Sequence, residues 1–517
     1  MENRLSVAPD GRVYEIPSER EVRTSFHELV ERAENYNRQG RQVVVVQGLG
    51  FVGAAVVAAV ADAVDSSQKP LYFVIGVDLP TPEHYWKVAC LNDGKTPIIS
   101  PDPQLQKLIE KAVCETGNLC ATVSEQTYAL ADVIIVDIPL DVRDPLRVAP
   151  EEIQVDLRTF ESSIRTIGRS MKPNALVLVE TTVPIGFCEK LVLPVLKEER
   201  ERRGVSEPLS LAHAYERVMP GPDYVDSIRR FWRTFSGIDE SSAGKAEKFL
   251  SSFIDTANYP LYRLEEPTAS ELAKLLENSY RQVNIAFIYE WTLLAEKIGI
   301  DLFSVIDSIR VRKGTHDNMR LPGFGVGGYC LTKDSLLVQW GAKHLFDTNV
   351  VLEMTLEALR INHRMPLHTL DLLLELGDGS LAGRKIAVCG VSYLPELADT
   401  RNSPSEIFID ELIKAKAELI VHDPYVMHWD EKPEIAITQD LTTALRRADG
   451  IVFTVGHRAY LDLTAEKMID YFVKSPFIVD TQNIISDLKA EALHKSGCRL
   501  SGVGKGHWRK RGYQCPK

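Results

Sequence analysis

The stretch QVVVVQGLGFVGAAVVAAVADAV, residues 42–64, decides the fold of this 517-residue chain. It begins as an apolar β-run, turns through Gly48, Gly50 and Gly53, and continues as a helix of small apolar residues. A second apolar run, LYFVIGVD, follows and ends on Asp78. Strand, glycine turn, helix and strand in this order predict a βαβ unit whose turn binds a dinucleotide.

Further apolar runs extend this pattern along the chain. ADVIIVDIP and NALVLVE follow the first unit, and GRKIAVCGVSYLP, AELIVHD, GIVFTV and FIVDTQN form a second set after residue 383. Strands that are apolar on both faces and alternate with helices predict parallel sheets covered on both sides. Between the two sets, residues 268–300 repeat apolar residues at helical spacing and predict one long helix.

The predicted fold class is therefore α/β, with two Rossmann-like doubly wound parallel-sheet domains joined by a helical central domain with a long spine helix. The expected domains are a polar N-terminal extension with a short helix on a loose arm, a cofactor-binding domain, a central helical domain and a C-terminal α/β domain. Their expected boundaries are 1–40, 41–240, 241–375 and 376–517.

Composition excludes several classes of protein. The net charge of −12 argues against a nucleic-acid partner, which needs a basic surface. The eight cysteines are scattered without a CxxC pair, so neither a disulfide framework nor a zinc site is expected, and reduced thiols predict a cytoplasmic protein. The N-terminus lacks the apolar core of a signal peptide and the apolar runs are broken by glycine, so no membrane span is expected.

The glycine turn indicates the cofactor. Gly50 lets a pyrophosphate approach the backbone, and the N–H groups at the helix start face the phosphates. Asp78 can accept hydrogen bonds from the adenosine ribose and would repel a 2′-phosphate, so NAD is favoured over NADP. The alternative is a parallel-sheet turn whose glycines serve packing alone. The predicted cofactor-binding residues of the turn are Gly48, Gly50, Phe51, Val52 and Gly53.

A second glycine-rich stretch, PGFGVGGYCLTKD at 322–334, surrounds a single thiol, Cys330. Glycines let the main chain close around a ligand. Lys333 can favour the thiolate, and Asp334 can hold a water or take a proton. A cysteine beside a dinucleotide site suggests oxidation of an aldehyde through a thiohemiacetal and a thioester. Five other cysteines are expected to be inert, and Cys498 and Cys515 have no function visible in the sequence.

Six stretches in order resemble the UDP-glucose/GDP-mannose dehydrogenase family over about residues 41–510. They are GLGFVG, ETTVPIG (180–186), ERVMPG (216–221), ELAKLLENSYRQVNIAF (271–287), PGFGVGGYCLTKD and ADTRNSPS (398–405). The resemblance implies that the C6 alcohol of a nucleotide sugar is oxidised twice, with two NAD, to a uronic acid for polysaccharide synthesis. It also implies that a homodimer or a larger homo-oligomer forms, to which the long helix contributes.

The resemblance further implies a role for each motif. Cys330 is the expected nucleophile, and Lys274 and Asn278, four apart on one helical face, donate to an oxyanion at C6. Without the family, both would be assigned to solvated helix surface with an internal hydrogen bond. Asp334 and Thr182 position water, Thr182 near the nicotinamide, although Thr182 also fits a plain polar strand end.

Glu216 is the candidate base for thioester hydrolysis, with a surface ion pair to Arg217 as the alternative. Lys333 is interpreted as loop support. ERVMPG resembles the form found in enzymes that act on UDP-N-acetylhexosamines, which favours UDP-GlcNAc or UDP-ManNAc and leaves UDP-glucose open. Arg320 is the expected contact to the N-acetyl group, with Arg312, Lys313 and His316 as competitors. The predicted substrate-binding residues are Glu216, Arg217, Lys274, Asn278, Arg320, Gly327 and Arg401.

Several positions depart from the family pattern. Leu394 and Gln482 stand where basic residues are usual, Tyr289 replaces a small amide, and VDIPLD (136–141) replaces a V-P-T-P-type strand end. Two lost cations weaken the hold on a diphosphate, for which Arg401 can compensate. Two other classes therefore stay open: a two-electron dehydrogenase of 3-hydroxyacid type, and a non-catalytic NAD or nucleotide-sugar sensor.

Overall fold

The structure is a computed structural model, and it describes residues 4–143, 152–219 and 221–515. The chain divides into two compact units. Unit one contains Met1–Arg143, Ile153–Leu275 and Leu337–Val350, and unit two contains Leu276–Leu336 and Val351–Lys517. Each unit is described below by itself.

The N-terminal residues of unit one form an antiparallel hairpin and a long helix. The hairpin pairs β1 (Leu5–Val7) with β2 (Val13–Glu15), and α1 (Glu19–Arg38) begins at a capping box formed by Ser18 and Glu21. Tyr36 of α1 stacks on Phe73 with ring centroids 4.9 Å apart. The predicted helix is therefore confirmed, but it packs on the sheet of unit one and does not form a loose arm.

That sheet has eight strands in the order β10-β9-β8-β7-β6-β3-β4-β5, all parallel except for the β8–β9 pair. The order β5-β4-β3-β6-β7-β8 is that of a doubly wound dinucleotide-binding domain. Both faces of β3 are buried, because its valines alternate between two hydrophobic clusters. The strands are β3 (Gln42–Gln47), β4 (Tyr72–Val77), β5 (Leu119–Thr122), β6 (Val133–Val136), β7 (Leu176–Val179), β8 (Ser210–His213), β9 (Thr234–Gly237) and β10 (Tyr262–Arg263).

Helices cover both faces of this sheet. The helix after the glycine turn consists almost entirely of buried alanine and valine, which lets it lie close to the strands. The helices are α2 (Phe51–Ala61), α3 (Tyr85–Asn92), α4 (Pro103–Glu110), α5 (Arg158–Ser170), α6 (Leu193–Arg202), α7 (Asp226–Arg229) and α8 (Glu240–Leu250).

The predicted long helix is α9 (Pro267–Ile298), which has 32 residues. It ends before Gly299, whose φ of +73° favours glycine and stops the helix. Along the chain, α9 begins in unit one and ends in unit two.

Unit two contains a six-stranded parallel sheet in the order β13-β12-β11-β14-β15-β16, again a doubly wound order. The strands are β11 (Lys385–Cys389), β12 (Glu418–His422), β13 (Ile437–Thr438), β14 (Gly450–Phe453), β15 (Phe477–Asp480) and β16 (Arg499–Gly502). The helices are α10 (Leu302–Arg310), α11 (Asp334–Phe346, whose later turns belong to unit one), α12 (Glu353–Leu376), α13 (Pro404–Lys414), α14 (Leu441–Arg446), α15 (Arg458–Leu461), α16 (Ala465–Tyr471), α17 (Asp487–Lys495) and α18 (Gly506–Lys510).

The predicted fold class is confirmed: two doubly wound parallel sheets and a central helical region. Among the described residues, no helix is both long enough and apolar enough to cross a membrane.

Candidate active site

The glycine turn of unit one connects β3 to α2 and fits a diphosphate. A Cβ on Gly53 would lie 1.9 Å from the carbonyl oxygen of Gly48, so close helix–strand packing requires glycine there. Gly48 itself has φ +97°, and its Cβ would lie 2.8 Å from the carbonyl oxygen of Asp137. Gly50 is different, because nothing lies within 4 Å of its Cβ position and it starts α2 without a side-chain cap. The free N–H groups of this helix start, at Phe51 and Val52, suit a phosphate ligand.

Asp78 follows β4, and its carboxylate accepts a hydrogen bond from the glycine turn. Its Oδ2 accepts a hydrogen bond from the N–H of Leu49 at 3.0 Å, and its Oδ1 accepts one from the N–H of Leu79 at 2.8 Å. Lys87 Nζ lies 3.8 Å and His84 Nδ1 3.5 Å from the same carboxylate. Asp78 therefore lies beside the glycine turn, and these basic neighbours would offset part of the repulsion that it would exert on a 2′-phosphate.

Glu216 and Lys274 lie together in unit one, and both are buried. Lys274 Nζ donates to the carbonyl oxygen of Glu216 at 2.8 Å and lies 3.7 Å from its carboxylate Oε1. Lys274 is thus not on solvated helix surface, and the ionic contact of Glu216 is with Lys274. Arg217 lies over the rings of Tyr215 and Phe231 and donates to the Tyr215 hydroxyl at 3.1 Å.

The loop that follows β7 is held by a carboxylate that the sequence did not single out. Glu271, fully buried near the start of α9, accepts N–H bonds from Gly186 at 2.6 Å, Phe187 at 3.2 Å and Cys188 at 2.8 Å. Burial raises the pKa of Glu271 to about 7, although the three N–H groups act in the opposite direction. Thr182 precedes this anchored turn and is partly exposed at the carboxyl end of the sheet.

In unit two, the glycines of the cysteine loop pack against the C-terminal sheet domain. A Cβ on Gly325 or Gly327 would lie 2.6 or 2.7 Å from the ring of Pro404. Gly328 has φ +84°, and its Cβ would lie 2.6 Å from the ring of Tyr393. These glycines are therefore required by the packing of the loop against protein, a reason that the sequence could not supply.

Cys330 is exposed at the end of that loop, one of three exposed cysteines with Cys114 and Cys515. Its carbonyl oxygen accepts the N–H bonds of Lys333 at 3.2 Å and Asp334 at 3.0 Å, in the turn that leads into α11. Cys330 is thus an exposed residue on a constrained turn.

Lys333 and Asp334, which follow Cys330 in the chain, have buried side chains. Asn278 Nδ2 donates to Asp334 Oδ2 at 2.7 Å, and both side chains are buried. Lys333 is also buried, with Nζ 3.6 Å from Asp334 Oδ1 and 4.2 Å from the centre of the Tyr329 ring. This arrangement agrees with loop support for Lys333, and it shows that the hydrogen-bond partner of Asn278 is Asp334.

Two predicted substrate-binding arginines also belong to unit two. Burial, with the like charges of Arg281 and Arg310, lowers the pKa of Arg320, which marks a concentration of positive charge. Arg401 forms a bidentate pair with Asp399, with Nε–Oδ1 at 2.9 Å and Nη2–Oδ2 at 2.5 Å, and this pairing raises its pKa. Arg401 is therefore already neutralised, which weakens its expected compensation for missing cations.

Leu394 and Gln482, which stand where the family usually has basic residues, both belong to the C-terminal sheet domain. Leu394 is exposed in the turn after β11, and Gln482 follows β15 and donates from Nε2 to the carbonyl oxygen of Thr454 at 2.8 Å. Gln482 thus binds backbone at the carboxyl edge of the sheet, where ligands of doubly wound domains lie.

A parallel sheet with an open, uncapped glycine turn at its switch point defines a dinucleotide-binding protein. Family models agree along the chain. Residues 42–248 match the NAD binding domain, 268–364 the central domain and 387–487 the UDP binding domain of the UDP-glucose/GDP-mannose dehydrogenase family.

Individual relatives support the same assignment. A UDP-N-acetyl-D-mannosamine dehydrogenase of Pyrococcus horikoshii is 30% identical over 470 residues, covering 90% of this chain and 99% of the relative. A protein of the same name from Yersinia pestis is 28% identical, covering 86% of this chain and 99% of the relative. The crystal structure of an NDP-N-acetyl-D-galactosaminuronic acid dehydrogenase from Methanosarcina mazei Go1 is 29% identical with a TM-score of 0.75, covering 93% of this chain and 98% of that chain.

The chain belongs to the UDP-glucose/GDP-mannose dehydrogenase family. It is an oxidoreductase that uses a nicotinamide cofactor, which confirms the class of enzyme predicted from the six motifs.

Proposed function

We propose that this protein oxidises the C6 hydroxyl of a UDP-N-acetylhexosamine, UDP-GlcNAc or UDP-ManNAc, to the uronate, with NAD as the acceptor. UDP-glucose is the alternative substrate. The names of the relatives and the match to a UDP binding domain support a UDP-sugar. The single observation that carries the four-electron chemistry is the exposed thiol of Cys330 on its constrained turn.

The thiol provides the intermediate that a second oxidation needs. After the alcohol has lost a hydride and a proton, the Cys330 thiolate adds to the aldehyde carbon and gives a thiohemiacetal. Loss of a second hydride and a proton converts this adduct to a thioester. Lys274 and Asn278 are the proposed donors to the oxygen on C6, since both side chains are buried and end in N–H groups. Bound NAD supplies the hydride acceptor for both oxidations.

Hydrolysis releases the product. Water adds to the thioester carbon and the carbon–sulfur bond breaks. The uronate and the Cys330 thiolate are formed, one proton goes to the base and the second leaves to solvent. Glu216 is the proposed base that takes a proton of this water, and its buried position beside Lys274, whose Nζ lies 3.7 Å from Oε1, supports this role. Asp334 and Thr182 are proposed to position the water.

A stoichiometric assay tests the proposal against its alternatives. Purified protein is mixed with NAD or NADP and with a limiting amount of each UDP-sugar, and NADH is followed by absorbance. Two NADH per sugar are expected with an N-acetylhexosamine. One NADH would support the two-electron dehydrogenase, and none across the panel would support the non-catalytic sensor.

The thiol is tested with a matched pair of variants. Cys330→Ser should abolish turnover or stop it after one NADH, because a serine hydroxyl is a far weaker nucleophile than a thiolate. Cys114→Ser changes another exposed cysteine and should leave turnover intact. Full activity of Cys330→Ser would remove this residue from the mechanism.

Substrate discrimination is proposed to involve Arg320, together with Gly327 and Arg217. The positive charge concentrated around Arg320 supports an anionic or carbonyl-bearing ligand there. Arg320→Met should raise the KM for the N-acetylated sugar more than the KM for UDP-glucose. An equal change for both sugars would separate this residue from N-acetyl recognition.

The homodimer is also proposed, and an apolar stripe on α9 supports it. Six exposed apolar side chains recur at intervals of three, four or seven residues along one face of the helix. They are Leu276, Tyr280, Phe287, Trp291, Leu294 and Ile298. Sedimentation equilibrium should give twice the chain mass, and Phe287→Asp with Trp291→Asp should give the monomer mass. A monomeric wild type would contradict the proposal.

A further inference from the structure

Three carboxylic acids end neighbouring strands of the unit-one sheet. Asp137 follows β6, Glu180 follows β7, and Glu216 lies three residues after β8. The register pairs Val136 of β6 with Val179 of β7, so the next residues, Asp137 and Glu180, lie side by side at the ends of the two strands. Because side chains alternate along a strand, both acids point to the face that α2 covers.

The acids are buried, and their bonding is incomplete. Glu180 Oε1 pairs with Arg233, and Glu216 Oε2 accepts the N–H of Val218, but neither oxygen of Asp137 has a hydrogen-bond partner in the described residues. Asp137 is 8% exposed. A buried carboxyl group with two unpartnered oxygens is costly unless a ligand completes its bonding.

The position of Asp137 indicates which ligand. The carbonyl oxygen of Asp137 lies next to Gly48, 2.8 Å from where a Cβ of that residue would be. Asp137 therefore lies at the crossover between β3 and β6. A dinucleotide binds across this switch point with its two halves on opposite sides. Asp78, at the end of β4, is the expected ribose contact of the adenosine half. The nicotinamide half would then lie at the ends of β6 to β8, where the three acids are.

We propose that Asp137 is a proton-exchanging contact for the nicotinamide half of the cofactor. It releases its proton to solvent when the cationic, oxidised ring binds, and it takes a proton back when the ring becomes neutral. The inference rests on the proposed use of NAD and adds a preference for the oxidised over the reduced cofactor. Such a preference helps NADH to leave while Cys330 still holds a half-oxidised sugar.

The surrounding charges support this exchange. Burial, and then the charges of Glu180 and Glu216, raise the pKa of Asp137 well above its usual value, while Arg233 acts in the opposite direction. Among the described residues, the phenol of Tyr224 is a further titratable neighbour, and it donates to the carbonyl oxygen of Phe51. An added positive charge at this place favours the ionised carboxylate and so expels the proton.

Calorimetric titration of the wild-type protein tests the inference without turnover. NAD and, separately, NADH are titrated at pH 7 in phosphate and in Tris, whose ionisation enthalpies differ. Proton release is expected with NAD and none with NADH, and the affinity for NAD should rise with pH by up to tenfold per unit. Equal proton exchange for both cofactors, or an NAD affinity that is flat with pH, would overturn the inference.

Two variants locate the proton. Asp137→Asn should lose the NAD-linked proton release and reduce the NAD-over-NADH preference by roughly tenfold, the factor for one pKa unit of coupling. Asp141→Asn, the same change at an exposed position of the same loop, should behave as wild type. Retained proton release in Asp137→Asn would assign the proton elsewhere. Absence of any NAD binding would overturn the proposed cofactor as well, whereas binding without proton release overturns this inference alone.

Discussion

Replacing Glu271 should release the loop that follows β7. In Glu271→Ala, the N–H groups of Gly186, Phe187 and Cys188 lose their acceptor while they stay buried. Each orphaned donor costs about 1–3 kcal/mol, and the three together roughly 3–6 kcal/mol once entering water recovers part of the loss. That free energy is a large fraction of the roughly 5–15 kcal/mol by which a typical domain is stable.

Hydrogen exchange measures this change locally. A peptide that covers the loop should lose protection by at least about 100-fold in Glu271→Ala, since about 1.4 kcal/mol corresponds to a factor of ten. Glu290→Gln, at an exposed position of the same helix, should leave exchange unchanged. Protection equal to wild type in Glu271→Ala would refute the assigned anchoring role.

The pH dependence gives a second check with a definite sign. Burial raises the pKa of Glu271 from 4.5 to about 7, so the folded state holds this proton more tightly than the unfolded state. The resulting stabilisation is full below pH 4.5 and is lost as pH rises through 7. The difference in unfolding free energy between wild type and Glu271→Ala should therefore shrink by about 1.4 kcal/mol per pH unit within this window. A difference that widens with pH would contradict the reasoning.

The remaining predictions concern hydrolysis and the cysteine loop. Glu216→Gln should slow thioester hydrolysis, so that intact mass spectrometry during turnover detects a sugar adduct on Cys330; a protein free of adduct would assign the base elsewhere. Gly328→Ala should destabilise the loop by about 1–3 kcal/mol, because its new Cβ would meet the ring of Tyr393 at 2.6 Å. Gly323→Ala, whose Cβ meets no atom within 4 Å, is the matched control in urea unfolding, and equal midpoints for the two variants would contradict the packing account.

The strands and the doubly wound class of the fold followed from local signals. The run VVVV at 43–46 is apolar at every position, which favours a strand that is covered on both faces, and the doubly wound order of both sheets agrees with that. The glycine turn was also predictable from the sequence. The tight turn requires a residue without Cβ at Gly48, and close packing of the helix on the strand requires one at Gly53. The particular substrate and the roles of the predicted catalytic residues stay predictions.

Side-chain environment was harder to predict than fold. Lys274 taken alone suggested solvated helix surface, yet it is buried against Glu216. The glycines before Cys330 suggested an approach to ligand, yet three of them are required by Pro404 and Tyr393. In both cases the deciding partner lies more than fifty residues away in the chain, where local spacing carries no information.

By itself, the sequence of this protein determined its strands, its glycine turn, its long helix and its family, because each depends on residue type over a short range. Only the tertiary structure decided which polar groups are buried together. Glu271 acquired its role from three N–H groups of a distant loop, and Asp137 and Glu180 became neighbours because their strands pair in parallel at the same register. Burial and charge proximity are properties of the folded chain, and they set the protonation of these acids.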